Sequence, residues 1–275
     1  MFHHLKKIII LSACIGVFSA LFLAEGIRVH AYNGNIDMIQ VQTEKSAPTE
    51  DENNIYVYTP EGYAYSREYT TLYILEGLYS TENEALDQPY RDFLSELISD
   101  EAFAPIIVAV IPESVYSKFS IKEIISVVDS EYSTKKESSG RIISGFSNGA
   151  YWIWNNILPD SNLNALADTY IPMSPIGCRT ILSGENAFPV IQKDANRIKI
   201  YNTCGDSGCE ENYRGIYGGE EQMELIIETG KQYGYTEGKN IFRNRVSGEH
   251  DWNQGWNAFE EVLPKALNNS AYYSP

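Results

Sequence analysis

A chain of 275 residues, 43 % hydrophobic and 21 % charged, carries enough apolar material for one large core and lacks the bias of disordered or low-complexity proteins. Its formal charge of −16 repels phosphate backbones and anionic lipid surfaces, so nucleic acid is excluded as an expected partner.

In chain order, Lys6 and Lys7 precede an uncharged stretch of 17 residues, Ile8 to Ala24, which is the layout of an export signal. Cleavage at the small-x-small site Val29-His30-Ala31 would leave a mature chain beginning at Tyr32. Two other readings stay open: the run is just long enough to be retained as a membrane anchor, and Leu11-Ser12-Ala13-Cys14 has the form of a lipoprotein signal. Membrane contact is expected only through such an uncleaved leader. Removing Lys6, Lys7, Arg28 and Glu25 with residues 1–31 leaves 18 basic against 36 acidic residues, a net charge of −18. Cys178, Cys204 and Cys209 are then an odd number without C-x-x-C spacing for zinc, consistent with one bridge and one thiol in any pairing.

Residues 32–53 read as an N-terminal strand and an acidic linker, and 54–275 as one domain. Within it, short β-branched and aromatic runs alternate with helical patterns, the signature of a mostly parallel central sheet flanked by helices on both faces. Strands are expected at Ile55–Thr59, Thr71–Leu75, Ile106–Ile111, Arg141–Ser144, Tyr170–Pro172, Ile198–Thr203 and Ile241–Val246. Apolar residues at three-to-four spacing place helices at Leu86–Ile98, Ile121–Tyr132, Asn148–Leu158, Glu220–Tyr233 and Trp252–Leu267. In such a sheet, function collects in the loops at the carboxyl ends of the strands.

Gly145-Phe146-Ser147-Asn148-Gly149 falls between a strand and a helix, the setting of a nucleophile elbow. Glycines two before and two after allow so sharp a turn that the serine oxygen projects over the sheet. A serine hydroxyl needs a base to take its proton, and imidazole suits neutral pH. His3, His4 and His30 belong to the leader, which leaves His250, in a Gly-containing loop before the final helix, as the candidate base.

An elbow of this kind takes its acid from between serine and histidine in chain order. Asp206, directly after a strand, is the first choice for orienting the imidazole, with Glu210 and Glu211 as alternatives. The oxyanion hole draws one backbone N–H from the residue after the nucleophile and one from the loop after an early strand, which map to Asn148 and Leu78. Tyrosine-rich segments, Tyr63-Ala-Tyr65, Tyr79 and Tyr213 to Tyr217, are candidates for stacking on a sugar or aromatic acyl group.

These residues resemble the esterase D-like branch of the α/β hydrolases, which includes feruloyl, acetyl and siderophore esterases and mycolyltransferases. Leu75-Glu-Gly-Leu78 is similar to that family's strand and His-Gly turn, Pro105 to Glu113 to its second buried strand, and Val127-Val-Asp-Ser-Glu-Tyr132 to its Asp-x-x-Tyr helix. Met173-Ser-Pro175 and His250-Asp-Trp252 resemble its later strand end and its histidine motif. The resemblance implies an α/β-hydrolase fold and ester hydrolysis through an acyl-enzyme without metal or organic cofactor. It carries the triad to Ser147, Asp206 and His250 and implies a small-molecule or carbohydrate-linked ester as substrate. Three departures stand out: Glu76 replaces the family's histidine, Ala150 a glycine, and Glu249 a glycine. The rival expectations are a binding protein that keeps the fold without the chemistry and an acyltransferase of the same fold.

Overall fold

Every residue from Ile106 to Ile111 is fully buried, which a strand achieves only when both faces of its sheet are covered. Alternation then divides the side chains: Ile107, Ala109 and Ile111 enter one core, and Ile106, Val108 and Val110 the other. The neighbouring strand divides in the same way, with Tyr73 and Leu75 on the first side and Leu72 and Ile74 on the second.

The computed structural model describes residues 35–41, 53–77, 104–175, 197–207 and 219–268. Its strands are β1 (Asn35–Gln40), β2 (Asn54–Thr59), β3 (Thr70–Leu75), β4 (Ile106–Ile111), β5 (Arg141–Phe146), β6 (Thr169–Met173), β7 (Lys199–Gly205) and β8 (Ile241–Val246). They form one eight-stranded sheet in the order β1-β2-β4-β3-β5-β6-β7-β8. From β4 to β8 in that order all pairs are parallel, whereas β1 pairs antiparallel with β2, and β2 with β4. The seven expected strands of the domain all appear, with ends shifted by a residue or two, and the expected N-terminal strand is the sheet-edge β1.

Helices cover both faces. On the first lie α2 (Ile121–Glu131), through Ile121, Ile124, Ile125 and Val128, and α4 (Gly219–Lys231), through Ile226 and Ile227. On the second lies α5 (Trp252–Asn268), through Phe259, Val262 and Leu263. Helix α2 starts cleanly because Ser120 and Glu123 form a reciprocal capping box: the Glu123 amide donates to Ser120 Oγ at 3.3 Å and the Ser120 amide to Glu123 Oε2 at 2.8 Å. The short helix α1 (Glu113–Tyr116) was not expected, since four residues carry no periodicity to read. Helix α3 (Asn148–Trp152) continues as a single π-helical turn, Ile153–Ile157, so the expected helix to Leu158 is present with one wider turn. The expected helix Leu86–Ile98, Cys178 and Cys209 lie outside the described residues, while Cys204 is buried at the end of β7. Among the described residues no helix is long and apolar enough to cross a membrane.

The Asp-x-x-Tyr segment of α2 acts as a clamp. Asp129 accepts from Arg141 Nη2 at 2.8 Å and from Thr134 Oγ1 at 2.6 Å, fixing the helix end to the start of β5. Tyr132 Oη donates to Asp37 on β1 at 2.9 Å. With the Arg141 and Asp129 side chains only 8 % and 15 % exposed, removing one charge strands the other in a poorly solvated site. Asp129→Asn should therefore cost about 2 to 3 kcal/mol, read as a lowered urea midpoint, whereas a loss below about 0.5 kcal/mol would make the pair an ordinary surface bridge.

Candidate functional site

Six parallel strands end at the same rim, so the segments after β3, β5, β7 and β8 converge there. Ser147 follows β5 with φ 52° and ψ −108°, a backbone shape that non-glycine residues rarely adopt. Close packing holds it. A Cβ on Gly149 would meet the Leu75 carbonyl oxygen at 2.1 Å, and one on Gly145 would meet the Gly149 carbonyl carbon at 2.5 Å. Both positions of the motif therefore need glycine, and the helix can start directly against the end of β3. The Ser147 amide donates to the Met173 carbonyl at 2.9 Å, which fastens the turn to β6.

The histidine loop is built with similar economy. Gly248 has φ 130°, and a Cβ there would lie 2.9 Å from Gln254 Cβ. Its amide donates to Asp206 Oδ1 at 3.0 Å, and its carbonyl accepts from the Ser207 amide at 3.3 Å, so the ends of β7 and β8 are tied together. Asp251 Oδ1 accepts the Gln254 amide at 3.2 Å at the start of α5, and Asn257 Nδ2 donates to the Ser247 carbonyl at 2.7 Å.

These restraints bring His250 Nε2 to 2.8 Å from Ser147 Oγ, although the residues are 103 apart in sequence. The serine is 9 % exposed and the imidazole half-buried. Phe146 packs its ring 5.0 Å from the imidazole and 5.0 Å from Trp252, giving the imidazole an aromatic wall. A neutral imidazole at this distance can accept the hydroxyl proton and return it to a leaving group.

Asp206 sits in the expected loop, exposed, with its carboxylate on the amide two residues before His250. Glu210, Glu211 and Leu78 lie outside the described residues. Gly77, just before Leu78, lies beside the serine: a Cβ on it would be 3.7 Å from Ser147 Cβ. Asn148 opens α3, where amides of the first helical turn have no carbonyl ahead of them. Glu76 is wholly buried at the end of β3; its amide donates to the Ile111 carbonyl at 3.1 Å.

The first tyrosine segment belongs elsewhere. Tyr63 and Tyr65 precede β3, at the amino ends of the parallel strands, where Tyr63 packs 5.2 Å from Tyr65 and 5.1 Å from Tyr69 and its hydroxyl accepts the Ser133 amide at 2.8 Å. These rings close the opposite end of the sheet from Ser147. Tyr79 and Tyr213 to Tyr217 lie outside the described residues. Sequence reasoning missed Tyr116, whose phenol meets both Glu76 and Asn148 at this rim.

The strand order, the turn at Ser147 and the flanking helices define an α/β-hydrolase fold. Solved structures agree. The feruloyl esterase module from Clostridium thermocellum, as a mutant complexed with sinapinate, is 16% identical over 86% of this chain and 89% of its own, with a TM-score of 0.63. A ferulic acid esterase from the anaerobic fungus Anaeromyces mucronatus is 19% identical over 86% and 92%, with a TM-score of 0.60. The S-formylglutathione hydrolase of Staphylococcus aureus is 16% identical over 86% and 98%, with a TM-score of 0.57. No protein-family model and no curated protein sequence matches the chain.

Gly149→Ala should cost about 3 kcal/mol or more, because a backbone carbonyl cannot yield as a flexible side chain does. Thermal unfolding would register it as a large fall in Tm; an unchanged Tm would mean that a side chain fits between α3 and the Leu75 carbonyl.

Proposed function

We propose that this chain is an exported serine hydrolase of carboxylic esters, acting through an acyl-enzyme on Ser147. The observation that carries the reading is the 2.8 Å contact between Ser147 Oγ and His250 Nε2 at the carboxyl rim of the sheet. In this mechanism His250 takes the hydroxyl proton as Ser147 attacks the ester carbonyl, then donates it to the departing alcohol. Water enters next, activated by the same imidazole, and releases the acid. The oxyanion is held by the backbone N–H groups of Asn148 and Leu78. Asp206 orients the imidazole and stabilises the imidazolium, with Glu210 and Glu211 as the competing carboxylates.

The substrate class is an acyl ester on a carbohydrate, siderophore or similar carrier. Support for acyl-ester hydrolysis in general comes from the chain's structural neighbours, described as a feruloyl esterase, a ferulic acid esterase, an enterobactin esterase and an S-formylglutathione hydrolase. Export rests on Lys6, Lys7 and the apolar run after them; mass spectrometry of protein recovered outside the cell should find a chain starting near Tyr32.

A fluorophosphonate probe should label Ser147, and the protein should hydrolyse p-nitrophenyl acetate. His250→Ala should slow both reactions by at least about a thousandfold, since the serine then lacks its base. Among Asp206→Asn, Glu210→Gln and Glu211→Gln, the first should cause the deepest loss of kcat. A folded wild-type protein that neither labels nor hydrolyses esters would instead be a binding protein built on this fold.

A further inference from the structure

Tyr116 ends the four-residue helix α1, which follows β4 at the same rim, and its side chain is 2 % exposed. Its ring is seated against Trp152 at 5.3 Å, so the hydroxyl has little freedom of position. That hydroxyl uses both of its capacities. It donates to the Glu76 carbonyl at 2.8 Å and accepts from Asn148 Nδ2 at 3.2 Å. Asn148 Nδ2 also reaches Glu113 Oε1 at 3.4 Å, so α1 holds the residue after Ser147 from both of its ends. Burial pushes the phenol well above its usual pKa, which keeps it a donor at any working pH.

The two residues it joins flank Ser147: Glu76 precedes Gly77, a Cβ on which would lie 3.7 Å from Ser147 Cβ, and Asn148 directly follows the serine at the start of α3. The Glu76 carbonyl belongs to the rigid peptide plane that leads through Gly77 toward Leu78, so fixing that oxygen fixes how the chain enters the turn. Asn148 supplies the other backbone donor. We infer that Tyr116 is a positioning residue for the oxyanion hole, bridging the β3 loop and the start of α3 through its hydroxyl. It does not touch substrate; its bridge fixes the Glu76 carbonyl at the end of β3 and the Asn148 side chain at the start of α3, the two places from which the proposed donors extend. This inference rests on the esterase reading of Ser147.

A purely structural tyrosine would affect how much protein folds, whereas a positioning one must also affect turnover at each folded site. The test is Tyr116→Phe, which keeps the ring and removes only the bridging oxygen. Fluorophosphonate titration gives the number of competent sites, and p-nitrophenyl acetate hydrolysis is expressed per titrated site. The expected result is a fall in kcat of about tenfold with KM unchanged within about twofold, because loosened donors weaken transition-state binding without altering ground-state binding. Asn148→Ala, which keeps its backbone amide, should give a similar fall, and the double variant should be little worse than the deeper single one. If Tyr116→Phe does not fold, Asn148→Ala alone decides by the same per-site kcat. Unchanged kcat per titrated site, or losses that multiply in the double variant, would overturn the bridge while leaving the esterase reading intact. A wild-type protein that cannot be titrated would overturn both.

Discussion

The approach of Gly149 to the Leu75 carbonyl is the constraint on which the rim of this molecule depends. Because no side chain stands between them, α3 begins directly against β3, and the residue before the helix is forced into a left-handed backbone. That residue is Ser147. Its oxygen is thereby lifted off the sheet while its amide stays bonded to β6. The conformation costs on the order of 1 to 3 kcal/mol locally and persists because strands on both sides over-determine it.

Around that fixed point, each neighbouring loop is held by its own short-range device. Gly248 lets the histidine loop fold under the start of α5, and the bond from its amide to Asp206 couples β7 to β8. Phe146 and Trp252 provide an apolar wall that limits where the imidazole can turn. On the other side, Tyr116 links the end of β3 to Asn148. Six parallel strands supply the rigidity, and the two cores above and below them keep the strand ends in register. The Ser147–His250 contact thus sits where six parallel strands end.

Much of this arrangement was legible in the sequence because its causes are local. The run Pro105 to Ile111 reads as a doubly buried strand because it is short, rich in β-branched residues and without a polar side chain. The spacing of Gly145 and Gly149 around Ser147 reports a steric requirement that is visible in the letters themselves. His250 was found by elimination together with its place between a strand and a helix. The antiparallel pairing of β1 and β2 was less accessible, because strand direction depends on partners distant in the chain. The bridge by Tyr116 left no local pattern at all: from the end of α1 it joins residues 40 and 32 positions away, after β3 and at the start of α3. Tyr63 and Tyr65 misled for a related reason, since composition tells that rings cluster but not at which end of a sheet they gather. Asp206 leads the three candidate acids because it directly follows β7, whereas Glu210 and Glu211 lie outside the described residues.

Nitrogen-15 NMR of histidine-labelled protein reads the contact between the serine and the imidazole in solution. The His250 signal is identified by its loss in His250→Gln, and its Nε2 shift is then compared between the wild type and Ser147→Ala. An imidazole bonded to the Ser147 hydroxyl should move its Nε2 resonance clearly when that oxygen is removed, with the fold unchanged by circular dichroism. An Nε2 resonance identical in the two proteins would show that the two groups do not meet and would contradict the account.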